Sequence, residues 1–317
     1  MILVLAAILL ALDARAGAAE SPPAGLQTRP ATVTSLWRDV PSDPNLVRVD
    51  AIPGVTEPSA LLLRDGFLYT ISDSFSNVYR LGLANGRAHL AGTESWRLEG
   101  MPLGTDLEAV TQLDTGEVLL ADEREGLIFV VRPFPRHVCA VWRTGIAGTC
   151  LVGRPNCGVE AMAVVPGRRL FVGREREPRA AYLFDLPEKP CEATTLRNRI
   201  YLTLPEEVGP DLSAATFDPV SGHLFIVARS RQRVIEMEVP PQTPGDTSPR
   251  PITVLGSFDY ARTEDALDYP GLDFHQVEGI AVDEARVLYL VVDNNLRFSR
   301  SFGNSRPALL RFFPPTP

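Results

Sequence analysis

The feature that most restricts the fold of this chain is an internal repeat of about 50 residues. Each of five segments holds an acidic residue or Ser, a small residue, an apolar run, a turn, a second apolar run and a polar cluster. The residues that open the repeats are spaced by 49, 52, 53 and 65 positions, and they are Ser59, Glu108, Glu160, Ser213 and Glu278. Units of this length with four short strands are blades of a β-propeller. The sequence therefore predicts an all-β protein.

The number of blades follows from the strands that can be counted. The repeat after Glu278 is one strand short, whereas an unassigned apolar strand at residues 46–52 precedes the first repeat. Pairing of this strand with residues 308–313 would close the ring and remove the exposed edges of an open sheet. We therefore expect five blades of four antiparallel strands. Six blades are the alternative, if residues 33–38 add to an irregular extra blade.

The N-terminal region differs in composition from the repeats. Residues 2–12 are 11 apolar residues followed by small ones, which is typical of a secretory signal peptide, assigned to residues 1–18. This run is shorter than the roughly 20 residues that a membrane span needs. Residues 19–45 are rich in Pro, Ser and Thr and predict a tether. Residues 46–317 are then the propeller domain of a periplasmic or secreted protein that has no membrane span.

The charge balance restricts the partners of the protein. Its 31 Lys and Arg residues are outnumbered by 39 Asp and Glu residues, which gives a net charge of −8. This balance offers no electrostatic basis for binding nucleic acid. We expect a monomer that binds a small-molecule or protein ligand.

Antiparallel pairing predicts where the acidic residues of the repeats meet. The start of the first strand of a blade lies beside the end of its second strand, at one mouth of the central channel. The residues that end the second strands are Asp73, Glu123, Glu175, Arg229 and Asp293. With the three Glu residues that open repeats, seven carboxylates are expected at this mouth, against one matched cation. Like charges this close raise one another's pKa unless a positive charge is near.

Two interpretations of these acids are open. In one, they pair with arginines or accept hydrogen bonds from strand ends, as structural latches. In the other, several of them bind Ca²⁺, which takes 6 to 8 oxygen ligands. Glu108, Glu160 and Glu278 are the best candidates because they open inner strands. Arg229, with Asn294 and Asn295, is a candidate for ligand binding, and no Cys or His cluster indicates zinc or iron.

Several segments carry a resemblance to known propellers. DLEAVTQLDTGEVLLADEREG from Asp106, DLSAATFDPVSGHLFIVARSRQRVIEMEV from Asp211 and QVEGIAVDEARVLYL from Gln276 resemble the SdiA-regulated family of bacterial propellers. The closing VEGIAV and VVDNN also resemble phytase-like propellers labelled "esterase-like activity of phytase". The first resemblance implies a five-bladed propeller with a bound calcium ion. Neither resemblance implies a particular substrate.

Three functions are compatible with this sequence. The first is an exported, calcium-binding propeller that binds a ligand or partner at the acidic channel mouth. The second is a calcium-dependent hydrolase of a lactone, ester or phosphoester, with a channel carboxylate as general base. The third is a scaffold whose acids are structural. No motif identifies a catalytic residue.

The four cysteines allow three full pairings, and export favours disulfides. Cys150 and Cys157 lie in one connection between the second and third blades, at the acidic mouth, so we expect them to pair. Cys139 begins an outer strand and Cys191 lies between two strands of the next blade, so both should lie toward the opposite face and pair. Four free thiols in a reducing compartment are the alternative.

Overall fold

The structure, a computed structural model, is an all-β propeller of five blades. It describes residues 47–73, 75–84, 87–146, 157–176, 180–241, 247–261, 276–293 and 307–312. Apart from 3-10 conformation at Glu206–Val208, Arg229–Arg231 and Gln276, these residues contain no helix. Among them there is accordingly no helix with the length and apolarity to cross a membrane.

Each blade is a four-stranded antiparallel sheet, and strands are numbered here in chain order. From the channel outward, blade 1 contains β2 (Pro58–Arg64), β3 (Phe67–Ser72), β4 (Asn77–Ala84) and β5 (Arg87–Arg97). Blade 2 contains β6 (Leu107–Gln112), β7 (Val118–Asp122), β8 (Leu127–Val131) and β9 (Val138–Arg143). Blade 3 contains β10 (Val159–Val165), β11 (Arg169–Arg174), β12 (Ala180–Asp185) and β14 (Arg197–Thr203).

The last two blades follow the same order. Blade 4 contains β15 (Ala214–Asp218), β16 (His223–Ala228), β17 (Arg233–Glu238) and β19 (Thr253–Asp259). Blade 5 contains β20 (Val277–Val282), β21 (Leu288–Val292), β22 (Ala308–Phe312) and, from the other end of the chain, β1 (Val47–Ala51). The five first strands contact one another in sequence, and β20 contacts β2, so the ring is closed.

The hydrophobic core is divided among the interfaces between blades. Five clusters of buried side chains occur among the described residues, and each lies between two neighbouring blades. In β16, Leu224 and Ile226 pack in the cluster shared with blade 3, whereas Phe225 and Val227 pack in the cluster shared with blade 5. A strand buried on both faces reads as a continuous apolar run, which explains the apolar runs of the repeats.

The ring closes by pairing of the two chain ends, as the sequence predicts. Strand β1 pairs with β22 in antiparallel register, with Ala51 opposite Ala308. Inside this blade the carboxylate of Asp50 accepts a 2.6 Å bond from Arg311 Nη2 and a 3.2 Å bond from the backbone N–H of Ala88 in blade 1. Asp50 therefore joins the closing strand both to its own blade and to the next.

Two very short strands join neighbouring blades. The connection between the third and fourth strands of blade 3 forms β13 (Thr194–Thr195), which pairs in parallel with β9 of blade 2. The matching connection in blade 4 forms β18 (Arg250–Pro251), which pairs in parallel with β14 of blade 3. Two blades therefore each gain a fifth strand from the next blade in the chain.

A disulfide reinforces the first of these junctions. Cys139 in β9 is bonded to Cys191, with 5.2 Å between their Cα atoms, which is the pairing expected from the sequence. Beside it the indole N–H of the buried Trp142 donates to Pro190 O at 3.0 Å. Cys157 is also disulfide-bonded, while Cys150, with which the sequence pairs it, lies outside the described residues.

Candidate functional site

The residues that open the repeats lie at irregularities of the inner strands. Register shifts between the first and second strands occur at Ser59, Glu108, Glu160 and Glu278, each of which is skipped in the pairing. Such β-bulges redirect a side chain from the plane of a sheet and often occur beside functional sites. The three Glu side chains line a cavity of about 10 Å³ in the central channel.

One backbone hydrogen bond recurs at this end of all five blades. The residue that ends the second strand donates its N–H to the carbonyl two positions before the repeat opener, at 2.8 to 3.3 Å. The donors are Asp73, Glu123, Glu175, Arg229 and Asp293, and the acceptors are Glu57, Asp106, Gly158, Asp211 and Gln276. At Gly158 a Cβ atom would lie 1.8 Å from Glu123 O, so this close approach requires glycine. The repeated bond places both predicted sets of residues on one face, called the acidic face below.

Carboxylates on this face form two close groups. The ligand oxygens of Glu123, Glu160 and Glu175 all lie within 4.8 Å of one another, and all three residues are buried. A second such group contains Asp73 and Glu108, together with Asp106. The structure thus brings five of the seven predicted acids into the two groups. Of the other two, Glu278 lines the channel and pairs with an arginine, and Asp293 is half-buried at the end of β21. Asn294 and Asn295 lie outside the described residues.

Arg229 neutralises one side of the channel. Its guanidinium is buried and donates to Glu278 Oε1, to Glu175 Oε1 at 2.5 Å and to both carboxylate oxygens of Asp211 at 3.0 and 3.2 Å. Arg176, which is half-exposed, adds a 2.6 Å ion pair with Glu175. Arg229, a predicted ligand-binding residue, is thus paired with three carboxylates of the protein itself, and its assignment to ligand binding stays a prediction.

Two members of these networks were missed by the sequence interpretation. Asp106 and Asp211 each lie two positions before a repeat opener, and the signal was present in the segments DLEA and DLSA. Asp106 belongs to the second carboxylate group and accepts a 2.7 Å bond from Arg124 Nε. Asp211 is the bidentate partner of Arg229. In both blades the aspartate before the first strand pairs with an arginine that follows the second strand of the same blade.

Burial disfavours the charged form of the channel carboxylates. Desolvation, followed by repulsion from neighbouring carboxylates, raises the pKa of Glu108 and of Glu160 well above the usual value. Desolvation likewise raises the pKa of Glu123 to about 7 and that of Glu175 to about 8, despite their hydrogen bonds and arginine neighbours. Buried Oε2 atoms of Glu123, Glu175 and Glu278 have no hydrogen-bond partner among the described residues. Protons or a bound cation would relieve this charge.

The raised pKa values predict how the stability of the metal-free protein depends on pH. Between pH 4.5 and about 8 the folded protein binds more protons than the unfolded chain, because its carboxyl pKa values are higher. Stability must then fall as pH rises through this window. We expect the free energy of unfolding in EDTA to drop by on the order of 3 kcal/mol from pH 5 to pH 8. Urea unfolding across this range measures it, and a flat or rising profile would be the contrary result.

Comparison with known proteins assigns the family. The model of the SdiA-regulated family matches residues 94–300, about two thirds of the chain. The chain belongs to the SdiA-regulated family. This match confirms the resemblance to the SdiA-regulated family. The matched region runs from the end of blade 1 into blade 5, and it includes every member of the two carboxylate groups other than Asp73.

The solved structures that resemble this family member are distant from it in sequence. Glutaminyl cyclase from Myxococcus xanthus is 14% identical, with a TM-score of 0.52 over 83% of this chain and 93% of that chain. The allergen Mala s 1 of Malassezia sympodialis is 14% identical, with a TM-score of 0.46 over 83% and 81% of the two chains. A luciferin-regenerating enzyme is 11% identical, with a TM-score of 0.45 over 84% and 95%. The similarity to glutaminyl cyclase, at 14% identity, concerns the fold alone.

Proposed function

We propose that the protein is an exported, calcium-binding propeller that binds a ligand or partner at the acidic mouth of its channel. One observation carries the proposal. Glu123, Glu160 and Glu175 converge in the protein interior, and buried oxygens of two of them have no hydrogen-bond partner among the described residues. Carboxylates are seldom buried without compensation, so a cation is the simplest completion of this group.

The donor set fits a hard cation. All three members supply carboxylate oxygens, and Ca²⁺ prefers oxygen ligands and tolerates irregular geometry. Glu108 lines the same channel and raises the pKa of Glu160 by repulsion, so the negative charge extends toward the second group. Bound calcium would supply positive charge to the acidic face and would draw together carboxylates of blades 2 and 3.

The small size of the channel supports a binding site at its mouth rather than inside it. The cavity between the inner strands holds about 10 Å³, which is close to the space needed for one water molecule. An organic molecule does not fit there. A small-molecule or protein ligand would therefore contact the loops of the acidic face, where the cation and the surrounding arginines are within reach.

A calcium-dependent hydrolase of an ester, lactone or phosphoester is the second candidate. It is favoured by Glu108, a channel carboxylate outside the Glu123, Glu160 and Glu175 group, which could serve as general base beside the cation. A panel of esterase, lactonase and phosphatase substrates, with calcium and with EDTA, separates the two candidates. Turnover that requires calcium and is lost in Glu108→Gln would establish the hydrolase.

The location of the protein is part of the proposal. The apolar run at residues 2–12 fits a signal peptide, and the Cys139–Cys191 disulfide fits an oxidising compartment. Expression with a C-terminal tag, followed by fractionation and N-terminal sequencing, tests it. We expect a periplasmic or secreted chain that begins near Ala19.

Thermal melting tests the calcium proposal. If calcium binds only the folded state, a concentration 100 times its dissociation constant adds about 2.7 kcal/mol to stability. We expect the melting temperature to rise with calcium and to return with EDTA, and we expect no calcium response in Glu160→Gln. Glu117→Gln is the matched control, because Glu117 is a buried carboxylate on the opposite face. Melting curves of the unaltered protein that superimpose in calcium and in EDTA would refute the proposal.

A further inference from the structure

Two carboxylates of the proposed calcium group use only one of their oxygens within the protein. Glu123 Oε1 accepts a 3.1 Å bond from the backbone N–H of Gly158. Glu175 Oε1 accepts from Nη2 of Arg229 at 2.5 Å and pairs with Nη2 of Arg176 at 2.6 Å. The Oε2 atom of each glutamate is buried and has no hydrogen-bond partner among the described residues. Oε2 is therefore the oxygen of each that remains for a cation.

The guanidinium that binds Glu175 is itself fixed. Arg229 donates from Nε and Nη2 to the two carboxylate oxygens of Asp211, at 3.2 and 3.0 Å. Its backbone N–H also donates to Asp211 O at 3.2 Å, and its Nη1 donates to Glu278 Oε1. A planar guanidinium held by paired bonds presents its remaining donors in a set direction. The bond from Nη2 therefore sets the orientation of the Glu175 carboxylate.

The second arginine on Glu175 holds it less firmly. The side chain of Arg176 is 49% exposed, whereas that of Arg229 is 10% exposed. Exposed ion pairs contribute little because solvent screens them and the long side chains lose conformational freedom. Arg229 is therefore the main determinant of which Glu175 oxygen is left for a cation.

We infer that Arg229 is a positioning residue, which binds Glu175 Oε1 so that Oε2 faces the calcium ion of the Glu123, Glu160 and Glu175 group. The inference rests on the proposed function, because it concerns the ligands of that ion. Partners that hydrogen-bond to metal ligands fix the orientation of those ligands and strengthen metal binding. A positive charge acting only as a charge would instead repel the cation and weaken its binding. The two roles therefore predict different results.

Replacement of Arg229 with lysine separates orientation from charge. Lysine keeps the positive charge but lacks the planar fork that binds Asp211 and Glu175 together. In calorimetric titration of metal-stripped protein with calcium chloride, we expect the dissociation constant of Arg229→Lys to rise by about tenfold or more.

Arg311→Lys is the matched control for loss of a buried arginine. Arg311 is also buried in an ion pair, with Asp50 of blade 5. It lies opposite Tyr289, near the start of β21, whereas the acidic face is at the end of that strand. Its dissociation constant for calcium should stay within about twofold of that of the unaltered protein.

Terbium luminescence gives a readout that a purely structural role would not change. Tb³⁺ resembles Ca²⁺ in size and in its preference for oxygen ligands, and its lifetimes in H₂O and D₂O report the number of bound water molecules. If Glu175 Oε2 turns away, water takes its place, so Arg229→Lys should gain about one metal-bound water. Arg311→Lys should keep the number of the unaltered protein.

A double variant tests whether Arg229 acts through Glu175. Glu175→Ala removes the carboxylate that the arginine orients. Adding Arg229→Lys to Glu175→Ala should therefore change the calcium dissociation constant by less than about twofold. A further tenfold loss in the double variant would contradict the assigned route.

Unchanged calcium affinity or an unchanged number of bound waters in Arg229→Lys would overturn the inference, as would equal weakening in Arg311→Lys. Calcium binding by the unaltered protein that Arg229→Lys does not affect removes the inference and leaves the proposed function. Absence of calcium binding by the unaltered protein removes both.

Discussion

Replacement of Arg229 with methionine is expected to lower the free energy of unfolding of the metal-free protein by about 3–5 kcal/mol at pH 8. Methionine fills similar space but leaves Asp211, Glu175 and Glu278 without their shared counter-charge. Removal of one partner from a buried ionic network is costly because the remaining charges stay desolvated. Urea unfolding in EDTA measures the loss.

The pH dependence of this variant separates charge from packing. At pH 5 Glu175 and Glu278, whose raised pKa values rise further without the arginine, can take up protons, so the loss should be smaller than at pH 8. Arg124→Met is the matched control, since its ion pair with Asp106 is half-exposed, and it should cost less than about 1 kcal/mol. An Arg229→Met protein as stable as the unaltered one would show that the network has no structural role.

The second large effect is expected at the closure of the ring. Asp50→Ala should cost about 3–5 kcal/mol, because Arg311 is buried and loses the carboxylate of a 2.6 Å ion pair. The substitution also removes the carboxylate that accepts from the backbone N–H of Ala88, and this hydrogen bond joins blade 5 to blade 1. Urea unfolding measures it. Glu192→Ala, in a pair with Lys189 whose carboxylate is 66% exposed, should change stability by less than about 0.5 kcal/mol. Equal effects of the two variants would contradict the role given to Asp50.

The blade count could be predicted from the sequence because its cause is local. Each inner strand is buried on both faces, so it must be an apolar run, and the run recurs at the length of one blade. The closing strand could be predicted by counting, since the last repeat lacks one strand. The strands β13 and β18 could not, because two residues have no detectable period and their partners belong to other blades.

The candidate site was predictable as a set of positions but not as a set of contacts. Antiparallel pairing brings Glu108 and Asp73 to one face in any propeller with these repeats. The choice of partners by Arg229 depends on side-chain geometry across three blades, which the repeat does not encode. The bulge at Glu160 depends on register with β11, and the sequence of one strand does not show register.

Titration of calcium into metal-stripped protein by isothermal titration calorimetry shows whether the channel carboxylates bind the metal. We expect saturable binding to the folded protein that is lost in Glu160→Gln and retained in Glu117→Gln. Absence of binding, or equal binding by the two variants, would contradict the assignment of the channel carboxylates as a calcium site.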